Sequence, residues 1–177
     1  MTTRLDPRDL IRRLGLVPLP VEGGHFRQTY VSEETLPAAA LPARYGRVKA
    51  MSTAIYYLLT SEADSFSALH RLPTEEVYHF YLGDPVEMLL LHPDGRGEVV
   101  VLGPDVLGGE RVQFVVPRAV FQGSRLRSGG RFALLGTTMA PGFDLQDYEG
   151  GDRAALLRQF PAEAERIRAL TRVVPPR

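Results

Sequence analysis

The stretch SFSALHRLPTEEVYHFYLGDP holds two of the chain's four histidines, His70 and His79, on either side of Glu76. Imidazole and carboxylate so close in sequence suit two kinds of chemistry, metal ligation and proton transfer. On a strand before Pro73, Phe66, Ala68 and His70 share one face. After the Pro73-Thr74 turn, Glu76, Tyr78 and Phe80 share one face, with Glu75, Val77, His79 and Tyr81 on the other. His70 and Glu76 therefore form a candidate acid–base pair, and Tyr78 adds a phenol on the Glu76 side. Regular pleating turns His79 away from Glu76, so it joins a common site only if a bulge intervenes. Arg27, in GGHFRQTY, is a further candidate for recognising a carboxylate or phosphate.

Each of these residues also has a structural reading. A histidine among apolar strand neighbours is commonly a hydrogen-bonded core residue, and for His79 that reading is favoured. Glu76 is able to pair with Arg71 or another Arg at the rim, and Gln122 to tie loop backbone together. Gly23-Gly24 reads as a turn rather than a phosphate cradle. His25 and His92 flank turns and are expected at the surface. Asp144, Asp147 and Asp152 lack the order of a calcium loop, and Asp152 reads as a helix cap.

The elements that must position these groups follow from periodicity. Asp6-Pro7 starts a short helix with Leu10, Ile11 and Leu14 at helical spacing. HFRQTYVS alternates as a strand, and residues 32–50 form a long loop of the kind that covers something. From Met51 to about Gly142, STAIYYLLT, SFSALHRL, EVYHFYLG, VEMLLLHP, EVVVLG, RVQFVVP and RFALLGTTMA are separated by turn signals with no helix between them, which predicts an antiparallel sandwich or barrel. DRAALLRQF and AEAERIRALTR return to helical spacing.

Against that strand order, the first motif of the cupin superfamily (His-x-His, then Glu, then Gly) falls on His70, Glu76 and Gly83, with Leu72 in the place of the second His. The second motif (Pro-x-Gly, then His) falls on Pro117, Ala119 and Gln122. Together with EGGHFRQTY, VLGPDVLGGERVQFVVP, VFQGSRL and APGFDLQDYEGGDR, the segment from about residue 8 to 160 resembles the cupin-5 family (DUF985). The resemblance implies an all-β, double-stranded β-helix jelly roll with short N- and C-terminal helices. It also implies a pocket at the barrel mouth and, commonly, a homodimer. A single domain over 1–177 is expected, with its jelly-roll core at about 22–143 and a C-terminal helical segment at about 151–172.

The resemblance groups His70, Glu76 and Gln122 as pocket residues. One imidazole, one carboxylate and an amide fall short of the ligand set a catalytic metal usually takes. No cofactor is therefore expected; a divalent metal, if bound, would use His70, Glu76 and Gln122. The leading expectation is binding of a small polar metabolite in the barrel, such as a sugar or oxo-acid. It extends to metal-independent, sugar-epimerase-like isomerase or lyase chemistry by His70, Glu76 and Tyr78, with Gln122, Arg27 and His79 as further ligand contacts. A non-catalytic binding protein and a metal-dependent cupin enzyme are the alternatives.

Composition narrows the remaining classes. The 177 residues carry 21 Lys+Arg against 21 Asp+Glu, so there is no basic excess for nucleic acid. No cysteine is present, which removes thiolate chemistry and disulfides. Lys49 is the sole lysine. No segment reads as a signal peptide or a membrane span, so no membrane partner is expected and the cytoplasm is the default location.

Overall fold

The structure is a computed structural model, and it describes residues 5–172; the ends of the expected 1–177 domain lie outside that range. Asp6 caps the first helix, α1 (Pro7–Leu14), by accepting from the Arg8 N–H, with Pro7 at the first helical position. Strands follow in the order β1 (Val17–Pro18), β2 (His25–Val31), β3 (Thr35–Leu36), β4 (Lys49–Ala50), β5 (Thr53–Thr60), β6 (Ser67–Arg71) and β7 (Glu76–Gly83). Then come β8 (Val86–Leu91), β9 (Gly97–Leu102), β10 (Gln113–Val116), β11 (Phe121–Leu126), β12 (Phe132–Met139) and β13 (Glu149–Gly150). Two short helices, α2 (Arg153–Gln159) and α3 (Ala164–Ala169), close the described chain. Asp152 caps α2 by accepting from the Ala155 N–H at 2.8 Å, as its position before Arg153 implied.

The strands form two facing antiparallel sheets, ordered β1-β2-β5-β12-β7-β10 and β13-β6-β11-β8-β9, with β3 and β4 as a separate pair. This is the double-stranded β-helix. Between the sheets, alternate side chains make one dry core that includes Tyr57, Leu59, Tyr78, Met88, Leu90 and Leu135. The opposite faces are covered by helices. Leu10 and Leu16 pack on Leu58, Phe132 and Leu134 outside the first sheet, and Leu156, Phe160, Ile167 and Leu170 pack on Leu69, Leu89 and Leu91 outside the second. Both helix-bearing ends thus bury the strand residues that the alternation points away from the barrel.

The long loop carries β3 and β4 and does act as a cover. Tyr45 is buried and its hydroxyl accepts from Thr74 at 3.1 Å. The buried Lys49 ammonium pairs with the buried carboxylate of Asp147, to which Arg47 adds a second contact at 3.2 Å. The only lysine in the chain therefore fastens residues 49 and 147, nearly a hundred positions apart, beside the barrel mouth.

Candidate functional site

A cavity of about 550 Å³ opens at one end of the barrel. Its floor is made of strand residues. Gln122 lies directly opposite His70 in the β11–β6 ladder, and Tyr78 opposite Thr137 in the β7–β12 ladder. Glu76 and Tyr78 point inward from β7 by pleat alternation, as expected. The Gln122 amide donates from Nε2 to Glu76 Oε2 at 2.6 Å, linking the two sheets across the interior. His70, Glu76 and Gln122 are all buried, at 2%, 7% and 2% exposure. His70 and Glu76 line the cavity, whereas Gln122 stands behind Glu76 and does not. The expected trio thus converges, with one member serving as support for another.

The protonation of His70 follows from its neighbour. Nδ1 lies 2.8 Å from the Ala68 carbonyl, which can only accept, so Nδ1 carries the proton. Nε2 then presents a lone pair whenever the ring is neutral, and no hydrogen bond among the described residues engages it. The Tyr148 ring stacks on the imidazole, with centroids 4.9 Å apart. Burial pushes the Glu76 carboxyl above the usual carboxylate range; the charge of His70 opposes the shift, Glu22 adds to it, and hydrogen bonds from Thr137 and Gln122 oppose it. Burial likewise holds the Tyr78 phenol well above its ordinary value, helped by the charges of Glu76 and Glu22. The site therefore sets two acids that hold their protons more tightly than usual beside an imidazole with one nitrogen free.

The mouth is built from loops that sequence reasoning did not assign. Leu19 to Glu22, between β1 and β2, form one wall; Phe143, Leu145 and Tyr148, after β12, form another. Gly23 explains how the first wall comes so close. It has φ +105, and a Cβ there would sit 2.3 Å from the Phe66 carbonyl oxygen, so only glycine lets this backbone lie against β6. Close approach is the role of the Gly23-Gly24 turn. The Ala68 N–H donates to the Glu22 carbonyl at 2.8 Å, the Tyr57 hydroxyl to the Gly23 carbonyl at 3.0 Å, and Ser67 Oγ to Glu22 Oε1 at 2.8 Å. Glu22 is thus delivered to the cavity as a second carboxylate. Its signal was present in the sequence as an acid next to a Gly-Gly turn; Tyr148 had no comparable mark.

Several expectations are corrected. Arg27 does not enter the cavity: Phe26 and Gln28 occupy the inward face of β2, and Arg27 donates from Nη1 to the Leu14 carbonyl at 2.8 Å on the outside. His79 also faces out, bonded to Thr138 Oγ1 at 3.0 Å and receiving the Gln113 amide at 3.2 Å. A bulge does occur in β7, where the register with β12 shifts between Leu134 and Leu135. It comes after His79 in the strand and cannot turn that residue inward. Arg71 pairs with Glu149 rather than with Glu76. His92 bonds Glu98 at 3.0 Å, and His25 is half-buried in β2, so neither is a free surface group.

The donor set does not suit a metal. Leu72 stands in the place of the second histidine and is buried. Gln122 turns its N–H toward Glu76, leaving Oε1 buried without a partner. Among the described residues, no group of three or more His, Cys, Asp or Glu side chains is disposed to hold an ion. The cavity offers one imidazole, His70, and two carboxylates, Glu76 and Glu22, but among the described residues these three do not converge into the set of about three strong ligands that a catalytic first-row metal needs. No helix among the described residues is long and apolar enough to cross a membrane.

Comparison with known proteins places this geometry. The chain is 31% identical over 136 residues to the uncharacterized protein YML079W of Saccharomyces cerevisiae, a match spanning 72% of this chain and 66% of that protein. Among solved structures, protein SO0799 from Shewanella oneidensis superposes with a TM-score of 0.83 at 31% identity, covering 97% of this chain and all of that one. A hypothetical protein from Leishmania major gives 0.83 at 28% identity, covering 96% and 100%. A cupin 2 domain-containing protein from Halorhodospira halophila shares the fold alone, at 0.53 and 14% identity over 88% of each chain. The pattern of the Cupin_5 family matches residues 8–150, the span that holds both sheets and every residue of the cavity. The chain belongs to that family, Cupin_5 (DUF985) of the cupin superfamily.

Proposed function

We propose that the protein binds a small organic molecule in the mouth cavity and moves a proton on it without a metal, as an isomerase or lyase working in the manner of a metal-independent epimerase. The observation that carries this reading is His70. Its Nδ1 proton is committed to the Ala68 carbonyl, so its free Nε2 offers a base to the cavity, which also holds Glu76 and Tyr78, two acids that burial makes hold their protons more tightly than usual. A volume of about 550 Å³ falls within the range of sites that enclose a metabolite-sized ligand. The chemistry is general acid–base: His70 takes a proton from a carbon acid, and Tyr78 or Glu76 donates to the oxygen on which charge develops.

Incubating candidate carbonyl compounds with the protein in deuterated water tests this reading. Exchange at the carbon next to the carbonyl, abolished in His70→Ala and slowed in Tyr78→Phe, is expected. Binding without exchange would replace it with a non-catalytic binding role, and stoichiometric metal lost in His70→Ala would overturn the metal-free mechanism. We also propose a homodimer that covers the exposed Tyr30, Tyr81 and Val115 on the outer face of the six-stranded sheet. A monomeric mass by light scattering at micromolar concentration would refute it.

A further inference from the structure

Charge is unevenly placed in this molecule. The chain has 21 lysines and arginines, yet among the described residues none lines the mouth cavity, while two carboxylates, Glu22 and Glu76, do. Arg172 meets the Glu22 wall at its backbone, donating from Nη2 to the Glu22 carbonyl at 3.4 Å, and does not line the cavity. It donates to the Val21 and Asp64 carbonyls at 3.0 Å, and its guanidinium lies 4.3 Å from the centre of the Phe66 ring. A phosphate, a sugar nucleotide or an oxo-acid would find no cationic partner in the cavity except a protonated His70. It would also face two acids, Glu22 and Glu76, and like charges at close quarters repel.

The groups that are free to bind point the other way. Glu22 Oε1 accepts only from Ser67 Oγ, and Oε2 has no hydrogen bond among the described residues. In the neutral ring, His70 Nε2 is an acceptor. The Tyr57 hydroxyl donates to the Gly23 carbonyl and is not free to donate to a ligand. Around these acceptors stand the rings of Phe26, Tyr57, Tyr78, Phe143 and Tyr148, whose faces carry partial negative charge. Ile55, Leu72 and Met139 complete an apolar wall. Acceptors, carboxylates and aromatic faces around a largely apolar cavity complement a group with several N–H donors and a positive charge.

The geometry points to a ligand with a protonated amine as its head and an apolar body, the ammonium lodging between Glu22 and Glu76 and the body lying along the apolar wall. This assignment rests on the binding reading above and sharpens it by excluding phosphorylated and carboxylate ligands. It also gives Glu22 a task that no motif assigned: neutralising the ligand and, with it, relieving the repulsion between the two acids.

The test uses matched probes on the same apolar body: phenethylamine, phenethyl alcohol and hydrocinnamate, with the cyclohexyl counterpart of each. Binding is followed by amide chemical shifts of the full chain at neutral pH. The amines are expected to bind at least about tenfold tighter than the alcohols, the margin of one charge-assisted contact, and the carboxylates to bind most weakly. Glu22→Gln and Glu76→Gln are each expected to remove most of that preference, with Glu98→Gln, a surface acid paired with Arg96, leaving it unchanged. Alcohol or carboxylate shifting the cavity residues at equal or lower concentration than the amine overturns the cationic assignment while leaving the binding reading intact. If no probe shifts any cavity residue at millimolar concentration, the binding reading falls and the assignment with it.

Discussion

The floor and the mouth of the cavity are built by different means. The floor is strand: His70, Glu76, Tyr78 and Gln122 are fixed by ladder register and sunk in the core between two sheets. The mouth is loop: Glu22 and Tyr148 are carried by segments fastened through a glycine contact and a buried ion pair. A floor of this kind gives rigid placement of reacting groups, because moving one side chain means repacking the sheet. A mouth of this kind lets charge and shape be set without touching the core. The difference teaches that stability and ligand choice are assigned to separate parts of the barrel, and substitutions should separate them.

The largest effect is expected at the floor. Tyr78 is 2% exposed and packs in the main core, so Tyr78→Ala should destabilise by about 3–5 kcal/mol through the void it leaves. Tyr148 is only half-buried, and Tyr148→Ala should change stability by about 1 kcal/mol while weakening probe binding. Chemical denaturation of the two variants beside a binding titration checks the contrast. Equal losses of stability would mean that floor and mouth form one packed unit.

Next comes the fastening of the mouth. Asp147→Ala strands the buried Lys49 ammonium, with Arg47 released at the rim, and should cost roughly 3 kcal/mol. Because Asp147 adjoins Tyr148, this variant should lose both stability and ligand, the one mouth substitution that does so. Replacing both partners, as Lys49→Met with Asp147→Leu, should recover most of the stability. A double variant as unstable as the single one would show that the pair contributes more than charge compensation.

The same division explains what was legible beforehand. His70, Glu76, Tyr78 and Gln122 could be read because strand alternation and cupin motif spacing both act over short stretches of chain, and the structure brings all four together. Arg27 and His79, both candidate ligand contacts by sequence although the structural reading is favoured for His79, face outward, and the sequence does not show this because neighbouring positions on β2 and β7 all carry large side chains. Composition then does not tell the inner face from the outer, and only pairing with β5 and β12 decides it. Glu22 and Tyr148 come to the cavity from distant parts of the chain, Glu22 through Ser67 of β6 and Tyr148 by stacking on His70 beside the Asp147–Lys49 pair; the Gly-Gly turn next to Glu22 marks a bend but not its destination, and Tyr148 has no local mark. Lys49 carried a compositional signal as the only lysine, but its burial depends on an aspartate nearly a hundred residues away.

A smaller, pH-dependent effect separates function from stability within the floor itself. The folded protein holds the Glu76 carboxyl above the ordinary range, so the folded state binds that proton more tightly than the unfolded chain. The resulting stability is fully present below the ordinary carboxylate value and is lost as pH rises through the elevated one. Gln at this position stays neutral throughout and still accepts from Gln122. Glu76→Gln should therefore melt higher than the wild type at pH 8, by a few degrees, with the gain shrinking at pH 5. A constant difference across that range would show that the carboxyl ionises without strain and that the floor is not tuned for proton transfer.

The smallest effects come from two residues held at positive φ without being glycine. Ala119, at φ 62, stands where the cupin motif has glycine, in the turn that leads into β11; Val21, at φ 69, precedes Glu22 at the mouth. An L-residue in this region is strained by about 1–2 kcal/mol, and glycine relieves that while adding roughly 0.5–1 kcal/mol of unfolded-state freedom. Ala119→Gly and Val21→Gly should each stabilise the fold by at most about 1 kcal/mol, with Val21 gaining more because its β-branch is worst suited to the conformation. Their consequences for the ligand should differ. Ala119 supports strand register below the cavity, so its substitution should leave amine binding unchanged. Val21 is both a wall of the cavity and the residue that aims Glu22, so relaxing it should weaken the amine two- to threefold, roughly, even as the protein becomes more stable. If both variants bind as the wild type does, Glu22 is aimed by Gly23 and Ser67 alone, and the strain at Val21 has no part in choosing the ligand.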